Sequence, residues 1–547
     1  MTALLSLIVA LFVTMVLVPP LVRVAGRLQL VDKPNHRKVH AVPIPRVGGI
    51  AIYVGLLVPL LLWAPLDRID HFFLLGGGLI VLFGAIDDRL TLAFKWKFAG
   101  QTVAVLVVMA AGIHFDILPF FGLDPVTPWI TYPISFLFIL GVTNALNLSD
   151  GLDGLAGGVS LLSLAGIGAL AYLSGGPTIY LGAVALAGAM LGFLRFNTHP
   201  AVVFLGDAGS QFLGFSLACM AIILTQDVNP ALNPMLPLFI VGLPLLDTLS
   251  VILMRLWHRQ SPFSADNRHF HHRLLKIGLR HYEAVAVIYT LQAIAVGLGF
   301  LLRYQSDALA LVAFIAFAGL VYSVLCVAET LPPHAYARAG LGRENEPTPS
   351  TAGSRNGLLD RFTWLPMASA HYVQFGVSAF LLGGPLFIAR PPRDIAAVAA
   401  SVAAMMVFAH FFLNQQTRLF VRVGVYVLGL FTVFLVVPIT TANAGLGMAL
   451  NIYLIVLGGV LALAIRLTRH EIFQMTPQDL LVLFIVLAIP NLPLNAVTEY
   501  PIGSMAFRAA VVFYACEYVL SRDGLSYRLL RVAGFAGLAI LGYRGLL

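Results

Sequence analysis

Apolar runs of about 20 residues recur along the whole chain, beginning with Ala3 to Val22, and each is as long as a helix must be to cross a hydrocarbon core of roughly 30 Å. Lipid offers the backbone no hydrogen-bond partner, so every N–H and C=O in such a run has to be satisfied within it, and helices are the default solution. The expected fold class is all-α, a polytopic transmembrane helical bundle. Composition agrees: 59% of the 547 residues are hydrophobic and 11% are charged, roughly half the charged share of a soluble domain. Spans are expected at 3–25, 47–64, 71–86, 98–114, 128–147, 155–175, 178–195, 209–226, 235–256, 282–303 and 307–329, about eleven in all. A stretch at 331–365 rich in Pro, Gly, Ser and charge reads as a linker. Six or seven further spans are expected over 366–547: 368–390, 394–414, 419–441, 446–466, 478–498, 503–521 and 527–547.

The first run has no basic region ahead of it and no small-residue cleavage pattern behind it, so it reads as a retained span and not as a signal peptide. Cys219, Cys326 and Cys516 lie in apolar segments without metal spacing, which supports neither a disulfide framework nor a cysteine metal site. The net charge of +8 does not indicate nucleic acid, because the basic residues sit in short loops between spans. Placing residue 1 outside puts Arg23 through Arg46, Arg89 through Lys97, Arg195 and Arg255 through Arg280 on the cytoplasmic side, leaving little beyond Arg68 and Arg303 outside. The expected location is the cell (inner) membrane.

Polar groups near spans are costly, so their placement is informative. They gather in five stretches, all cytoplasmic in this topology. The first runs from Asp32 to His40 and on through Arg46-Val47-Gly48-Gly49. The second is Asp87-Asp88 at the end of a span, which on a bland reading is a pair of solvated helix ends. The third holds Asn144, Asn147, Asp150 and Asp153, spaced by three as on one slowly turning helix face, with Gly151 and Gly154 either admitting a ligand or ending the helix. The fourth runs from Phe196-Asn197 through Phe204 to Gly206-Asp207-Ala208-Gly209-Ser210, which places a carboxylate and free N–H groups at a helix start, suited to a metal-bound diphosphate unless Asp207 is simply the N-cap. The fifth is His269, His271 and His272, which lack the usual zinc partners and suit phosphate better. Asp247, inside a span, needs a neighbouring helix as partner. Independent structural charges would have no reason to share a side, so one composite site is expected.

In order, the motifs DKPNHRKVH…PRVGG, FGAIDD, NALNLSDGLDGLAGG, FNTHPAVVFLGDAGS, PLLD and NRHFHHRLLKIG resemble the polyprenyl-phosphate N-acetylhexosamine-1-phosphate transferases, over about residues 1–330. The HxHH pattern and the DKPN…RKxH loop are similar to the branch that transfers N-acetylglucosamine 1-phosphate. The resemblance implies a UDP-amino sugar donor, a polyprenyl (undecaprenyl or decaprenyl) phosphate acceptor entering sideways from the membrane, UMP release, and Mg²⁺, or Mn²⁺ in its place. It implies Mg²⁺ on Asp207 with Asp87 or Asp88 close by, and a nucleotide side lined by Asn144, Asn147, Asp150 and Asp153. Phosphates would be held by Lys38, His40, Arg46, His269, His271 and His272. It also allows a homodimer. Thr91 departs from the charged residue that the family commonly carries there. Two anions must meet in such a reaction, so positioning and positive charge rank above general-base catalysis.

A transporter is the main alternative, opposed by charge at one end of the helices and by the lack of a detectable repeat; a scaffold presenting 331–365 would not need five polar motifs. Residues 366–547 read as an additional helical module for partner docking or lipid handling, with a simple stabilising interface as the bland alternative. Within it Asn451, Asn491, Asn495 and Glu499 are the polar groups that stand out.

Overall fold

The computed structural model describes residues 2–32, 43–122, 124–261, 268–330, 365–412, 417–467, 502–521 and 525–546. Thirteen helices among them are long and apolar enough to cross a membrane. Those up to Thr330 fall in one compact unit and those from Leu365 onward in another.

In the first unit the apolar runs become α1 (Thr2–Leu28), α2 (Gly48–Trp63), α3 (Arg68–Leu90), α4 (Phe94–Ala111), α5 (Pro128–Ser149), α6 (Leu155–Leu173), α7 (Pro177–Asn197), α8 (Gly206–Ile223), α12 (His281–Leu302) and α13 (Asp307–Thr330). The expected span at 235–256 is instead two helices, α9 (Leu236–Ile240) and α10 (Gly242–Trp257). The reason is Pro244, whose ring collides with the carbonyl four residues earlier, that of Ile240. The freed carbonyl accepts hydrogen bonds from Gln292 Nε2 at 2.8 Å and Ser163 Oγ at 2.7 Å, and the N–H of Leu243 donates to Gln292 Oε1 at 3.1 Å. A fully buried glutamine thus repairs a break that lipid would not tolerate. The short α11 (Phe270–Lys276) precedes α12. The second unit contributes helices Leu365–Phe387, Arg393–Phe412, Thr417–Ala442, Ala444–Leu467, Ile502–Leu520 and Leu525–Leu546; the span expected at 478–498, with Asn491, Asn495 and Glu499, lies outside the described residues.

The axis of the first unit is α8, continued by a π-helical turn at Leu224–Val228 and buried throughout its membrane window. Glycines let its neighbours come close. A Cβ on Gly84 of α3 would meet the Ala208 nitrogen at 2.6 Å, and one on Gly214 would meet the Val142 carbonyl at 2.7 Å. Gly49 of α2 lies against the Ala208-Gly209 backbone. The segment leading into α8 is bound to the start of α2: Phe204 N–H donates to Pro45 O at 2.8 Å, Gly48 N–H to Phe204 O at 3.1 Å and Gly49 N–H to Leu205 O at 3.0 Å. Pro45 also belongs to a two-stranded ribbon, β1 (Val31–Asp32) and β2 (Ile44–Pro45).

Gly84→Val should therefore force α3 off α8, at the ~1–3 kcal/mol that overpacking costs. Thermal unfolding in detergent should show a lowered midpoint, while Gly141→Val, where nothing lies within 4 Å, should stay near the parent. Equal behaviour of the two variants would mean that the α3–α8 contact is not tight.

Candidate active site

The chemistry-bearing side chains sit at one end of the first unit's helices: the last turn of α3, the first of α4, the end of α5, the turn before α6, the end of α7, and the starts of α8 and α12. Loops at the opposite end are fastened separately, by Gln226 Oε1 accepting from Asp116 and Ile117 N–H at 2.9 and 2.8 Å, and by Asn233 N–H donating to Arg303 O at 2.7 Å.

Asp88 is buried and accepts the N–H groups of Asp207 at 3.0 Å and Ala208 at 3.2 Å, so it caps α8 from a neighbouring helix. The start of α8 therefore does not offer those N–H groups to a ligand, contrary to the expectation of free donors there. Gly206, at φ +69°, faces the Asp88 carboxylate where any side chain would collide. Arg46 pairs with Asp32 and reaches Asp88 Oδ1 at 3.4 Å. This explains why the PRVGG segment carries both an arginine and two glycines: it braces the same helix start.

Asp87, pointing the other way, accepts the Leu92 N–H at 2.7 Å on one oxygen. Its other oxygen lies 3.0 Å from Lys97 Nζ, and Lys97 Nζ lies 3.1 Å from Asp207 Oδ2. Two carboxylates from α3 and α8 thus converge on one cation from α4. Lys97 was legible in the sequence only as one of several cytoplasmic basic residues. Its place is decided by α4 following Asp87 after a tight turn in which Thr91 takes φ +50° and donates its N–H to Asp87 O.

The spacing by three from Asn144 to Asp153 does not form one helix face, because α5 ends at Ser149. Asn144 is held in an amide cluster: its Nδ2 donates to Gln101 Oε1 at 2.9 Å, and Gln101 Nε2 donates to Gln211 Oε1 at 2.9 Å. Asn147 Oδ1 accepts from Ser210 Oγ at 2.6 Å. Asp150 caps α5, and Asp153 lies in the next turn, accepting Ala201 N–H at 3.1 Å. Gly154, at φ +79°, opens α6; its N–H donates to Asn197 Oδ1 at 3.0 Å, and the Asn197 amide donates to Val203 O. The FNTHP asparagine is therefore a brace between two site loops. Burial, with the negative charges of Asp207, Asp153 and Asp88, pushes the Asp150 carboxyl up to about 7, against the pull of Arg46.

Asp247 fulfils its expected need for a partner. Its carboxylate accepts from His269 Nδ1 at 3.0 Å and from the Phe270 N–H at 2.9 Å, fixing the start of α11. His271 is buried with its ring over Gly151. Burial, then His272 and His269, lowers His271 to about 3, so it is neutral in the absence of a bound anion. Lys38 and His40 lie outside the described residues.

The carboxylate set fits a hard divalent cation. Asp87 and Asp207 share an ammonium, and the Asp207 side chain keeps 25% of its surface open.

Asp150 gives a signed pH dependence. Its folded pKa of about 7 exceeds the ordinary carboxyl value of about 3.9, so the folded state binds the extra proton. Its contribution to stability is full below the ordinary value and is lost as pH rises through about 7. In chelator, the unfolding midpoint of the parent should fall relative to Asp150→Asn between about pH 5 and pH 8. Parallel midpoints over that range would refute the assignment.

Residues 71–225 match the family model for glycosyl transferase family 4, a stretch that contains Asp87, Asp88, Lys97, Asn144 through Asp153 and Asp207. A probable undecaprenyl-phosphate N-acetylglucosaminyl 1-phosphate transferase of Bacillus subtilis is 35% identical over 52% of this chain and 80% of its own length. The decaprenyl-phosphate N-acetylglucosaminephosphotransferase of Mycolicibacterium smegmatis is 38% identical over 48% and 73%. The undecaprenyl-phosphate alpha-N-acetylglucosaminyl 1-phosphate transferase of Escherichia coli K12 is 31% identical over 52% and 79%. The converging carboxylates thus lie inside the shared region, and the chain belongs to glycosyl transferase family 4, the polyprenyl-phosphate N-acetylhexosamine-1-phosphate transferases.

Proposed function

We infer that this protein transfers N-acetylglucosamine 1-phosphate from UDP-N-acetylglucosamine to a polyprenyl phosphate and releases UMP, as a first step of cell-envelope glycan assembly. The observation that carries the reading is the pair of carboxylates, Asp87 and Asp207, converging on Lys97 at the membrane end of the bundle. A lipid phosphate can reach that level without leaving the bilayer, and a nucleotide can reach it from water. An oxygen of the lipid phosphate forms a bond to the sugar-bearing phosphorus, and the bond from that phosphorus to the UMP oxygen breaks.

Asp87 and Asp207 would hold Mg²⁺, which when bound supplies positive charge to the donor diphosphate. Lys97 stands ready to offset the charge of the same carboxylates or of a phosphate. Arg46 lies on the side of Asp88, and His271 offers a neutral donor beside Gly151. The acceptor phosphate has a second pKa near 6 and is largely ionised at neutral pH, so no residue has to serve as its base. Asp88 is a positioning residue, since both of its oxygens are engaged at the start of α8.

The reading is checked with purified protein, UDP-N-acetylglucosamine, polyprenyl phosphate and Mg²⁺, following UMP. Asp207→Asn should fold in detergent and lose turnover by at least about 100-fold. Lys97→Gln should unfold at lower temperature in chelator, with Mg²⁺ restoring most of the loss, because two facing carboxylates are left without their cation. Near-parental turnover of Asp207→Asn, or a Lys97→Gln midpoint indifferent to Mg²⁺, would remove the carboxylate pair from this role.

The site is read as cytoplasmic from the distribution of Lys and Arg. Cysteines placed at Lys95 and Ser261 should be blocked only by reagents that enter the cell, and one at Pro125 by impermeant reagents. Labelling of Lys95→Cys from outside would invert the orientation.

A further inference from the structure

Beside the carboxylate and lysine cluster lies a second group of ligating side chains that the transferase reading does not use as a metal centre. Asp153, from the turn before α6, meets His199, from the segment after α7, with Nδ1 of the imidazole 2.7 Å from Oδ2. His281, the first residue of α12, brings Nε2 to 3.2 Å from the Asp153 carbonyl oxygen. The two imidazole rings stack with centroids 4.2 Å apart and planes 21° from parallel. One ligand atom of each of the three residues lies within 4.8 Å of the others.

We propose that Asp153, His199 and His281 form a binding site for a borderline divalent transition-metal ion of the zinc class, separate from the Mg²⁺ site expected at Asp87 and Asp207. Three observations carry it. The donor set is two imidazoles and one carboxylate, which suits Zn²⁺, Co²⁺ or Ni²⁺ and is a poor match for Mg²⁺. Ligands about 2.0–2.2 Å from a common ion lie at most about 4 Å apart, so the present spread is close to that of a site, and binding requires one imidazole to turn out of the stack until both ring nitrogens face the ion. The carboxylate is already oriented by a bond to protein, the Ala201 N–H at 3.1 Å, which is the kind of outer partner that fixes a ligating group.

The surroundings suit an ion that arrives from water. The His199 side chain is 49% exposed and that of Asp153 is 19% exposed, which leaves coordination positions for water. An ion there would take the place of the direct contact between His199 and Asp153. It ties together three segments that are far apart in sequence, one of which runs on from Ala201 through Phe204 to Asp207. Occupancy should therefore stiffen the approach to α8 and raise the unfolding temperature. The site stands on its own geometry and does not depend on the transferase reading.

The test uses the untagged full-length protein, stripped with chelator, dialysed, and titrated with Zn²⁺ while the bound metal is counted by elemental analysis. Co²⁺ serves as the spectroscopic probe of imidazole ligation. The expected result is one tightly held Zn²⁺ per chain in the parent and in Asp207→Asn, with a higher unfolding midpoint on loading. His199→Ala and His281→Ala should each weaken binding by at least about tenfold, a loss that even an outer partner's removal causes. Asp153→Asn keeps an oxygen for the Ala201 N–H and should likewise lose affinity while remaining folded. His272→Ala, on the neighbouring histidine cluster, should retain the ion. The proposal is overturned if the parent holds no Zn²⁺, or if both histidine variants bind like the parent. Loss of the ion in Asp207→Asn or His272→Ala alone would overturn it too, by assigning the metal elsewhere.

Discussion

Two hydrogen bonds from the start of α8 to the Asp88 carboxylate fix the rest of this site. A helix buried from Ala208 onward has backbone donors in its first turn that neither itself nor lipid can satisfy. Here the acceptor comes from the end of α3, so the ends of two helices are locked in register. The next residue back along α3 is rotated by about 100°, and that rotation turns Asp87 toward Lys97 and Asp207. The adjacent aspartates therefore differ in place: Asp88 holds the start of α8 and Asp87 faces Lys97.

The same register concentrates negative charge. Asp87, Asp88, Asp150, Asp153 and Asp207 lie at one end of the bundle, and Arg46 and Lys97 are the cations that touch Asp87, Asp88 and Asp207 among the described residues. Such an arrangement is costly unless positive charge joins it. The raised carboxyl of Asp150 is a symptom of that excess, and His271, lowered by burial, does not relieve it.

Close approach and repair make the arrangement possible in lipid. Gly49, Gly84 and Gly214 remove the side chains that would hold α8 away from α2, α3 and α5. Where Pro244 breaks a helix, Gln292 and Ser163 satisfy the exposed carbonyl from neighbouring helices. Asn197 does the same for two site loops. Asn197 is thus a brace even though it sits in a motif that looks functional.

The sequence by itself determined most of the spans, because a membrane demands apolar runs of fixed length; among the described residues the helices follow them except at 235–256, which breaks in two at Pro244. It also determined that the polar motifs share one end, since loops alternate sides with each crossing. It did not separate Asp87 from Asp88, whose difference arises only when α8 arrives against α3. Lys97 was invisible as a site residue because its partners come from two other helices. The spacing of Asn144, Asn147, Asp150 and Asp153 suggested one helix face, but the helix ends at Ser149 and Asn144 turns to Gln101. His199 and His281 lie 82 positions apart in the chain, and only the folded bundle stacks them beside Asp153. Local patterning is set by solvent and backbone, which one sequence window contains; pairing of side chains across helices depends on packing, which it does not.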